Sequence, residues 1–172
     1  MKCDVVNFDC PFEEKSIKFG CKTDKPCCKV GGKEIVCEEN KKKFQLKITN
    51  VANIFYRGEL DGCIEKNNTQ KCDYIFFTQD RKKAIFIELK GNDLKKAVDQ
   101  IEASLKQYPH LGKEEKILCI VSSRGVPAKT SEQSPEHKAI LKKWMCLGGL
   151  REHISSSKLC LKYNGNIFKK GD

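Results

Sequence analysis

The sequence predicts a mixed α/β domain: an antiparallel three-stranded meander, then a helix, a strand, a second helix and a last strand, with the helices flanking a mixed central sheet. Three observations predict this order. Alternating or strongly apolar stretches recur after residue 43, two later stretches carry apolar residues at helical spacing, and a continuous apolar run separates those two helical stretches. At 172 residues the chain fits one domain of ordinary size.

The meander is predicted from extended patterns that are separated by turn residues. Asn67-Asn68 supplies a hairpin turn after the first extended segment, and the polar residues 79–82 supply the next turn. An earlier stretch, residues 44–48, alternates in the same way and predicts a further half-buried strand. The three segments of the meander are residues 54–64, 71–77 and 83–90.

A helix is predicted directly after the third strand. Gly91 ends the strand, Asn92 is the expected N-cap, and Asp93 lies in the first turn, where a carboxylate interacts favourably with the helix dipole. Residues 116–122 then form a strand that is buried on both faces. The apolar face of this helix consists of Leu94, Ala97, Val98, Ile101 and Leu105.

The second helix is predicted from its two ends. Ser134 is a good N-cap and Pro135 suits the first helical position, while Gly148-Gly149 ends the helix. Residues 159–163 are the expected last strand.

Residues 1–43 are predicted to be an irregular, cysteine-rich segment that precedes the α/β domain of residues 44–172. Structural zinc, disulfides and free buried thiols all remain open for this segment, because the paired Cys-x2-Cys knuckles typical of zinc sites are absent. The candidates for zinc binding or disulfide formation are Cys21, Cys27, Cys28 and Cys37.

The chain carries 33 Lys and Arg against 23 Asp and Glu, a net charge of +10. Such an excess favours polyanionic partners through counterion release, although a solvated lysine-rich surface gives the same balance. No apolar run reaches the about 20 residues that a membrane helix requires, and the opening residues lack a stretch of signal-peptide length. We therefore expect a cytoplasmic protein without membrane contact, and a homodimer is left open.

Two carboxylates and a lysine lie at the ends of the predicted meander strands. A hairpin centred between Asp80 and Arg81 places Asp73 opposite Glu88. Both carboxylates then lie near the same end of the sheet, close enough to share one hard cation through oxygen ligands. Lys90 follows Glu88 on the same face, within reach of whatever the metal binds. Because charges beside apolar strands are costly unless they function, these three residues predict a metal-dependent site.

This pattern resembles the PD-(D/E)XK nuclease superfamily, which has the restriction-endonuclease-like fold. The motif of the family corresponds to Asp73, Glu88 and Lys90, with Cys72 in place of the proline that precedes the Asp. The resemblance implies that the two acids hold Mg²⁺ or Mn²⁺ and that the backbone carbonyl of Leu89 is a further ligand. It also implies that Lys90 supports the attacking water or the scissile phosphate.

The resemblance covers residues 44–122, except for the leading helix of the family, which would lie around residues 12–17. In relatives that resemble exonucleases and junction resolvases, a glutamine on the following helix belongs to the site, and Gln100 lies where that residue would fall. The implied activity is metal-dependent hydrolysis of phosphodiester bonds in nucleic acid, DNA more than RNA. A catalytically inactive nucleic-acid-binding module and a cysteine-rich zinc or redox protein are the alternatives.

A third acid is expected from the first hairpin of the meander. With the turn at Asn67-Asn68, Asp61 lies opposite Asp73 or Tyr74. Asp61 then either joins the metal ligands or shapes a bend with the glycine that follows it.

The remaining candidates lie outside the strands of the meander. Lys96 and Gln100 are four residues apart and are expected side by side on the exposed face of the first helix, where they either contact the substrate backbone or are ordinary surface residues. The expected substrate-binding residues are Lys95, Lys96 and Arg124, and the histidines expected at the surface are His110, His137 and His153.

Overall fold

The structure, a computed structural model, describes residues 33–49, 55–61, 68–90, 92–122 and 133–171, together with the backbone of residues 28–30; at residue 90 it describes the backbone alone. The strands in this part of the chain are β1 (Cys28–Val30), β2 (Glu34–Glu39), β3 (Lys42–Ile48), β4 (Phe55–Glu59), β5 (Tyr74–Thr78), β6 (Lys83–Lys90), β7 (Glu115–Ser122), β8 (Ile154–Ser155), β9 (Lys158–Tyr163) and β10 (Phe168–Lys170). The helices are α1 (Leu94–Gln107) and α2 (Pro135–Cys146), and a 3₁₀ turn covers Arg151–His153.

The larger sheet has six strands in the order β1-β4-β5-β6-β7-β8. β5 is antiparallel to both of its neighbours, β4 and β6. By contrast, β7 is parallel to β6, and β8 is parallel to β7. The connection from β6 to β7 passes through α1, and the connection from β7 to β8 passes through α2. The structure therefore confirms the mixed α/β class and the predicted meander.

A smaller sheet covers one face of the larger sheet. Its strands lie in the order β10-β9-β3-β2, with β3 and β9 parallel and the other pairs antiparallel. Side chains from both sheets form a shared buried cluster, in which Phe44 packs edge-to-face on Phe76 with 5.4 Å between the ring centroids. Phe55 and Tyr163 pack in the same way at 5.2 Å. The two sheets are therefore adjacent layers of one fold.

Both described helices pack on the other face of the larger sheet. Val98 and Ile101 of α1 and Leu141 and Trp144 of α2 belong to one buried cluster with the side chains of β5, β6 and β7. Among the described elements, the expectation that helices flank the central sheet is therefore wrong, since one face carries helices and the other carries the smaller sheet. The reason is that the chain after β8 returns as β9 to pair with β3, and so the predicted last strand joins the smaller sheet.

The smaller sheet begins inside the segment that the sequence predicts to be irregular. β2 and β3 form a hairpin whose two-residue turn, Asn40-Lys41, has φ angles of 47° and 65°. Both values suit a type I′ turn, in which Asn is common at the first position. Irregular structure is thus wrong for residues 34–43, while the division of the chain at residue 43 stays a prediction. The leading helix expected around residues 12–17 lies outside the described residues.

The helix ends follow the local capping rules with one shift. The Oγ of Ser134 accepts a hydrogen bond of 3.2 Å from the backbone N–H of His137, which confirms the predicted cap of α2. The cap of α1 is Asp93 rather than Asn92: its Oδ1 accepts from the N–H of Lys96 over 2.9 Å, and its carbonyl accepts the first helical hydrogen bond. Neither described helix is long and apolar enough to cross a membrane.

Candidate active site

The carboxylates of Asp73 and Glu88 lie side by side at one end of the larger sheet. Asp73 directly precedes β5, and Glu88 lies in β6, which pairs with β5 through Tyr74 opposite Ile87. The backbone N–H of Asp73 donates a hydrogen bond of 3.1 Å to Glu88 Oε2, and the N–H of Leu89 donates one of 2.7 Å to Asp73 Oδ2. Each carboxylate is therefore held by the backbone of the other residue's strand, and the predicted pairing is confirmed.

The turn between β5 and β6 fixes this register. Asp80 Oδ1 accepts hydrogen bonds from the hydroxyl of Thr78 over 2.6 Å and from the N–H of Lys82 over 3.0 Å, as in other turns built on an Asp side chain. The N–H of Arg81 donates to the carbonyl of Thr78 over 2.8 Å, and Arg81 has a φ of 60°. The predicted hairpin centre between Asp80 and Arg81 is confirmed.

Both carboxylates are removed from solvent. Glu88 is fully buried and Asp73 is 7% exposed. Burial disfavours a charged carboxylate, and a second carboxylate on the neighbouring strand disfavours it further. A bound cation would offset both effects, and so this pair is poorly explained by packing alone.

Two polar side chains of α1 anchor the chain just before Asp73. Gln100 donates a hydrogen bond from Nε2 to the carbonyl of Lys71 over 2.7 Å, and Ser104 accepts one at Oγ from the N–H of Cys72 over 2.8 Å. Both side chains are buried on the face of α1 that packs on the sheet. The expectation that Gln100 lies on the exposed face is therefore wrong. Its Oε1 accepts no hydrogen bond from the described residues, which leaves an acceptor beside the site.

Lys71 is a buried lysine that the sequence analysis did not single out. The residue is 4% exposed; its Nζ donates to the carbonyl of Thr69 over 3.1 Å and lies 3.6 Å from Asp61 Oδ1. Lysine is almost never fully buried unless it is paired, and this one lies two residues before Asp73. The signal in the sequence was the spacing Lys71-Cys72-Asp73 at the start of an apolar strand.

The position of Asp61 differs from the expected one. Glu59 pairs with Tyr74, and the N–H of Leu60 donates to the carbonyl of Asp73 over 2.8 Å, so Asp61 lies beyond both of its predicted partners. Its side chain is 63% exposed and faces Lys71. The predicted register is therefore wrong by one or two positions. Asp61 is therefore not one of the candidate metal ligands in this arrangement.

The donor set at the carboxylate pair consists of oxygen atoms. Within the described ranges, no group of three or more His, Cys, Asp or Glu side chains comes together to hold a metal ion. Mg²⁺ fits a smaller set, because it retains several waters and usually takes one or two carboxylates together with phosphate oxygens. The oxygen atoms of Asp73 and Glu88 would suit Mg²⁺ or Mn²⁺, and the family resemblance adds the carbonyl of Leu89, whereas structural zinc takes four nitrogen or sulfur ligands.

The structure describes some of the predicted basic residues of the site and not others. Lys90 is the last residue of β6, and its backbone pairs with Ser122 of β7; its side chain lies outside the described part. Lys95 and Lys96 are exposed in the first turn of α1, which starts four residues after the end of β6. Arg124 lies outside the described residues.

The described cysteines form no disulfide with one another. Cys37 is buried between the two sheets and Cys72 is buried beside the carboxylate pair. Burial raises the pKa of both thiols far above the ordinary range. The zinc or disulfide role of Cys37 stays a prediction. Cys21 and Cys27 lie outside the described residues, as does the side chain of Cys28.

The histidines do not all lie at the surface. His110 is exposed and His137 is partly exposed, but His153 is buried in the 3₁₀ turn before β8. Burial lowers the pKa of His153, and the nearby Lys170 acts in the same direction against Glu152. The surface position predicted for His153 is therefore wrong.

Comparison with known proteins identified no relative of this chain. A scan against protein-family models, a search of curated proteins and a search of solved structures each found no match.

Proposed function

We propose that this protein is a metal-dependent nuclease that hydrolyses phosphodiester bonds in nucleic acid, DNA more than RNA, and that its core is related to the PD-(D/E)XK nucleases. The observation that carries the proposal is the buried pair Asp73 and Glu88, each held by a backbone N–H of the opposite strand. The pair lies at the end of an antiparallel meander that is followed by a helix and a parallel strand, which is the element order of that superfamily.

The described residues supply what such a site requires of the protein. A bound Mg²⁺ or Mn²⁺ would polarise a phosphate oxygen and lower the pKa of a bound water. Asp73 and Glu88 offer oxygen ligands in fixed orientations, because their Oδ2 and Oε2 atoms are hydrogen-bonded to backbone. Gln100 and Ser104 hold the two residues before Asp73, so the position of its backbone depends on α1.

Positive charge for the substrate phosphate would come from lysine. The motif assigns this role to Lys90, and the burial of Lys71 two residues before Asp73 makes it a second candidate. Lys95 and Lys96 begin the helix that follows the site and are exposed, as residues that contact a nucleic-acid backbone must be. Buried free thiols such as Cys72 and Cys119 suit a reducing compartment, and we propose that the enzyme acts in the cytoplasm.

A second candidate is a binding module that keeps the fold without catalysis. The complete burial of Glu88 and the absence of a third acid from the described cluster favour it, because both features limit metal binding. Under this alternative, binding of nucleic acid requires neither metal nor the carboxylates.

The test is incubation of the full chain with labelled linear, circular and single-stranded DNA, and with RNA, in Mg²⁺, Mn²⁺ or EDTA. We expect cleavage in Mg²⁺ or Mn²⁺ but not in EDTA, and loss of cleavage in Glu88→Gln and in Lys90→Ala with binding retained. The matched control is Glu114→Gln, an exposed acid far along the chain from the site. Binding without cleavage in every metal would show that the protein is a binding module without catalysis. Cleavage by Glu88→Gln at the normal rate would contradict the proposed site.

A further inference from the structure

The outer face of the smaller sheet carries a group of lysines. On β3, Phe44, Leu46 and Ile48 point into the buried cluster between the sheets, so Lys43 and Lys47 lie on the opposite face. The same alternation along β9 and β10 places further lysines on that face. The lysine face consists of Lys43, Lys47, Lys158, Lys162 and Lys169.

The strand register brings these lysines together. Lys43 pairs with Lys158, and Lys47 pairs with Lys162, which in turn pairs with Lys169. Paired residues of neighbouring strands are about 4.5–5.5 Å apart at Cβ, and like charges directly opposite each other destabilise a sheet. The two rows are four residues apart along the strands, roughly 13 Å. The protein therefore keeps two rows of lysines in positions that its own folding does not favour.

Acidic residues balance the lysine face at one edge only. Glu34 and Glu38 of β2 lie opposite Lys47 and Lys43, and Glu34 also accepts a hydrogen bond from the amide of Gln45. β9 and β10 contain no acidic residue, so lysine outnumbers acid on the other half of the face.

We propose that the lysine face binds the phosphate backbone of nucleic acid. Several lysines on one face suit a chain of phosphates, since each contact releases a counterion and adds to affinity whatever the base sequence. An anionic membrane is a poorer fit, because the face presents no large apolar side chain that could enter a bilayer. This surface lies on the side of the molecule opposite α1 and α2, so it would bind nucleic acid whether or not the chain cleaves it.

The test compares two triple variants that remove equal charge. One carries Lys47→Gln, Lys158→Gln and Lys169→Gln. The control carries Lys113→Gln, Lys138→Gln and Lys142→Gln, which are exposed on other parts of the chain. Circular dichroism and urea unfolding check that both variants remain folded.

Affinity for a fluorescein-labelled DNA duplex is measured in EDTA over NaCl concentrations from roughly 50 to 200 mM. We expect the slope of log Kd against log salt to fall by about two to three units in the lysine-face variant and by less than one unit in the control. Equal changes in the two variants, or no change in either, would overturn the proposal. Lost binding to phosphatidylserine vesicles with unchanged DNA binding would assign the face to a membrane instead.

Because cleavage is absent in EDTA, the outcome does not depend on the proposed nuclease activity. A changed slope in a protein that never cleaves would uphold the lysine face and refute the enzyme. Normal cleavage with an unchanged slope would refute the lysine face and uphold the enzyme.

Discussion

Gln100 donates a 2.7 Å hydrogen bond from its side-chain amide to the backbone carbonyl of Lys71, which lies 29 positions earlier in the chain. This bond joins the buried face of α1 to the segment that enters β5, two residues before Asp73. The orientation of the carboxylate pair therefore depends on a helix that contributes no carboxylate to it.

Gln100→Ala should weaken both the fold and the activity. Removing the donor leaves the carbonyl of Lys71 without this bond in a buried setting, which typically lowers the free energy of unfolding by about 1–3 kcal/mol. Cleavage should fall more in kcat than in affinity, because the displaced group is Asp73. Gln107→Ala, on the partly exposed last turn of the same helix, is the control. Equal losses of stability in the two variants would show that the bond is unimportant.

Asp73→Asn and Asp73→Ala should differ in stability but not in activity. The Asn side chain keeps an oxygen that can accept from the N–H of Leu89 and removes one of two adjacent negative charges, so urea unfolding should show equal or higher stability. The Ala variant leaves that N–H without its acceptor and should lose about 1–3 kcal/mol. Both variants should lose metal-dependent cleavage and bind Mn²⁺ more weakly by calorimetry. If the Asn variant cleaves normally, Asp73 does not belong to the catalytic site.

Lys71→Met should lower the rate of cleavage without lowering the stability of the fold. The Met chain is of similar length and apolar, and replacement of a buried charge by an apolar group is often neutral for stability. If the ammonium of Lys71 contacts the substrate phosphate, cleavage should fall by about 10²-fold or more. The control is Lys113→Met, since Lys113 is exposed before β7 and should affect the rate little. A Lys71→Met variant with normal kcat and KM would leave Lys90 as the active lysine.

Acidification should destabilise the fold through His153. Burial lowers the pKa of His153 below the ordinary value of 6.5, so the unfolded chain binds a proton more readily than the folded chain in the range just below pH 6.5. The free energy of unfolding should therefore decrease as the pH falls from 6.5 through the folded pKa. His153→Gln should reduce this slope, measured by urea unfolding between about pH 7 and 5. His137→Gln is the control, and an unchanged slope in His153→Gln would contradict the assignment.

Gly149→Ala should be strongly destabilising. A Cβ at this position would overlap with Cε2 of Trp144, whose ring is fully buried and whose Nε1 donates to the carbonyl of Leu150. Overpacking of this kind typically lowers stability by about 1–3 kcal/mol. The fluorescence of Trp144, the single tryptophan of the chain, reports the displacement directly. Met145→Ala, at a residue 53% exposed, should change neither stability nor fluorescence.

Local patterns in the sequence predicted the parts of the site that depend on neighbouring residues. The strand at residues 83–90, the pairing of Asp73 with Glu88 and the cap at Ser134 each follow from residues a few positions away, and the structure confirms them. A hairpin register is set by its own turn, so the turn at Asp80 was sufficient to place the two carboxylates together.

The remaining features depend on distant parts of the chain. Gln100 was expected to face solvent, but it is buried, as is Ser104, because these two side chains satisfy backbone groups at residues 71 and 72. The buried Lys71 also satisfies a backbone group, because its Nζ donates to the carbonyl of Thr69. The pattern of α1 alone cannot show which backbone groups of another element require a partner.

The parallel pairing of β3 with β9 has a consequence for the order of events during synthesis. Thr49 and Tyr163, which meet at the end of this pairing, are 114 positions apart. Ribosomes add about 5–20 residues per second, so the β2–β3 hairpin waits on the order of 10 s for its partner strand. During that time β3 presents an open edge beside Phe44 and Leu46, and open edges of this kind invite pairing with other chains. Slow translation or high expression should therefore increase aggregation of nascent chains, and co-expressed chaperones that cover extended apolar segments should reduce it.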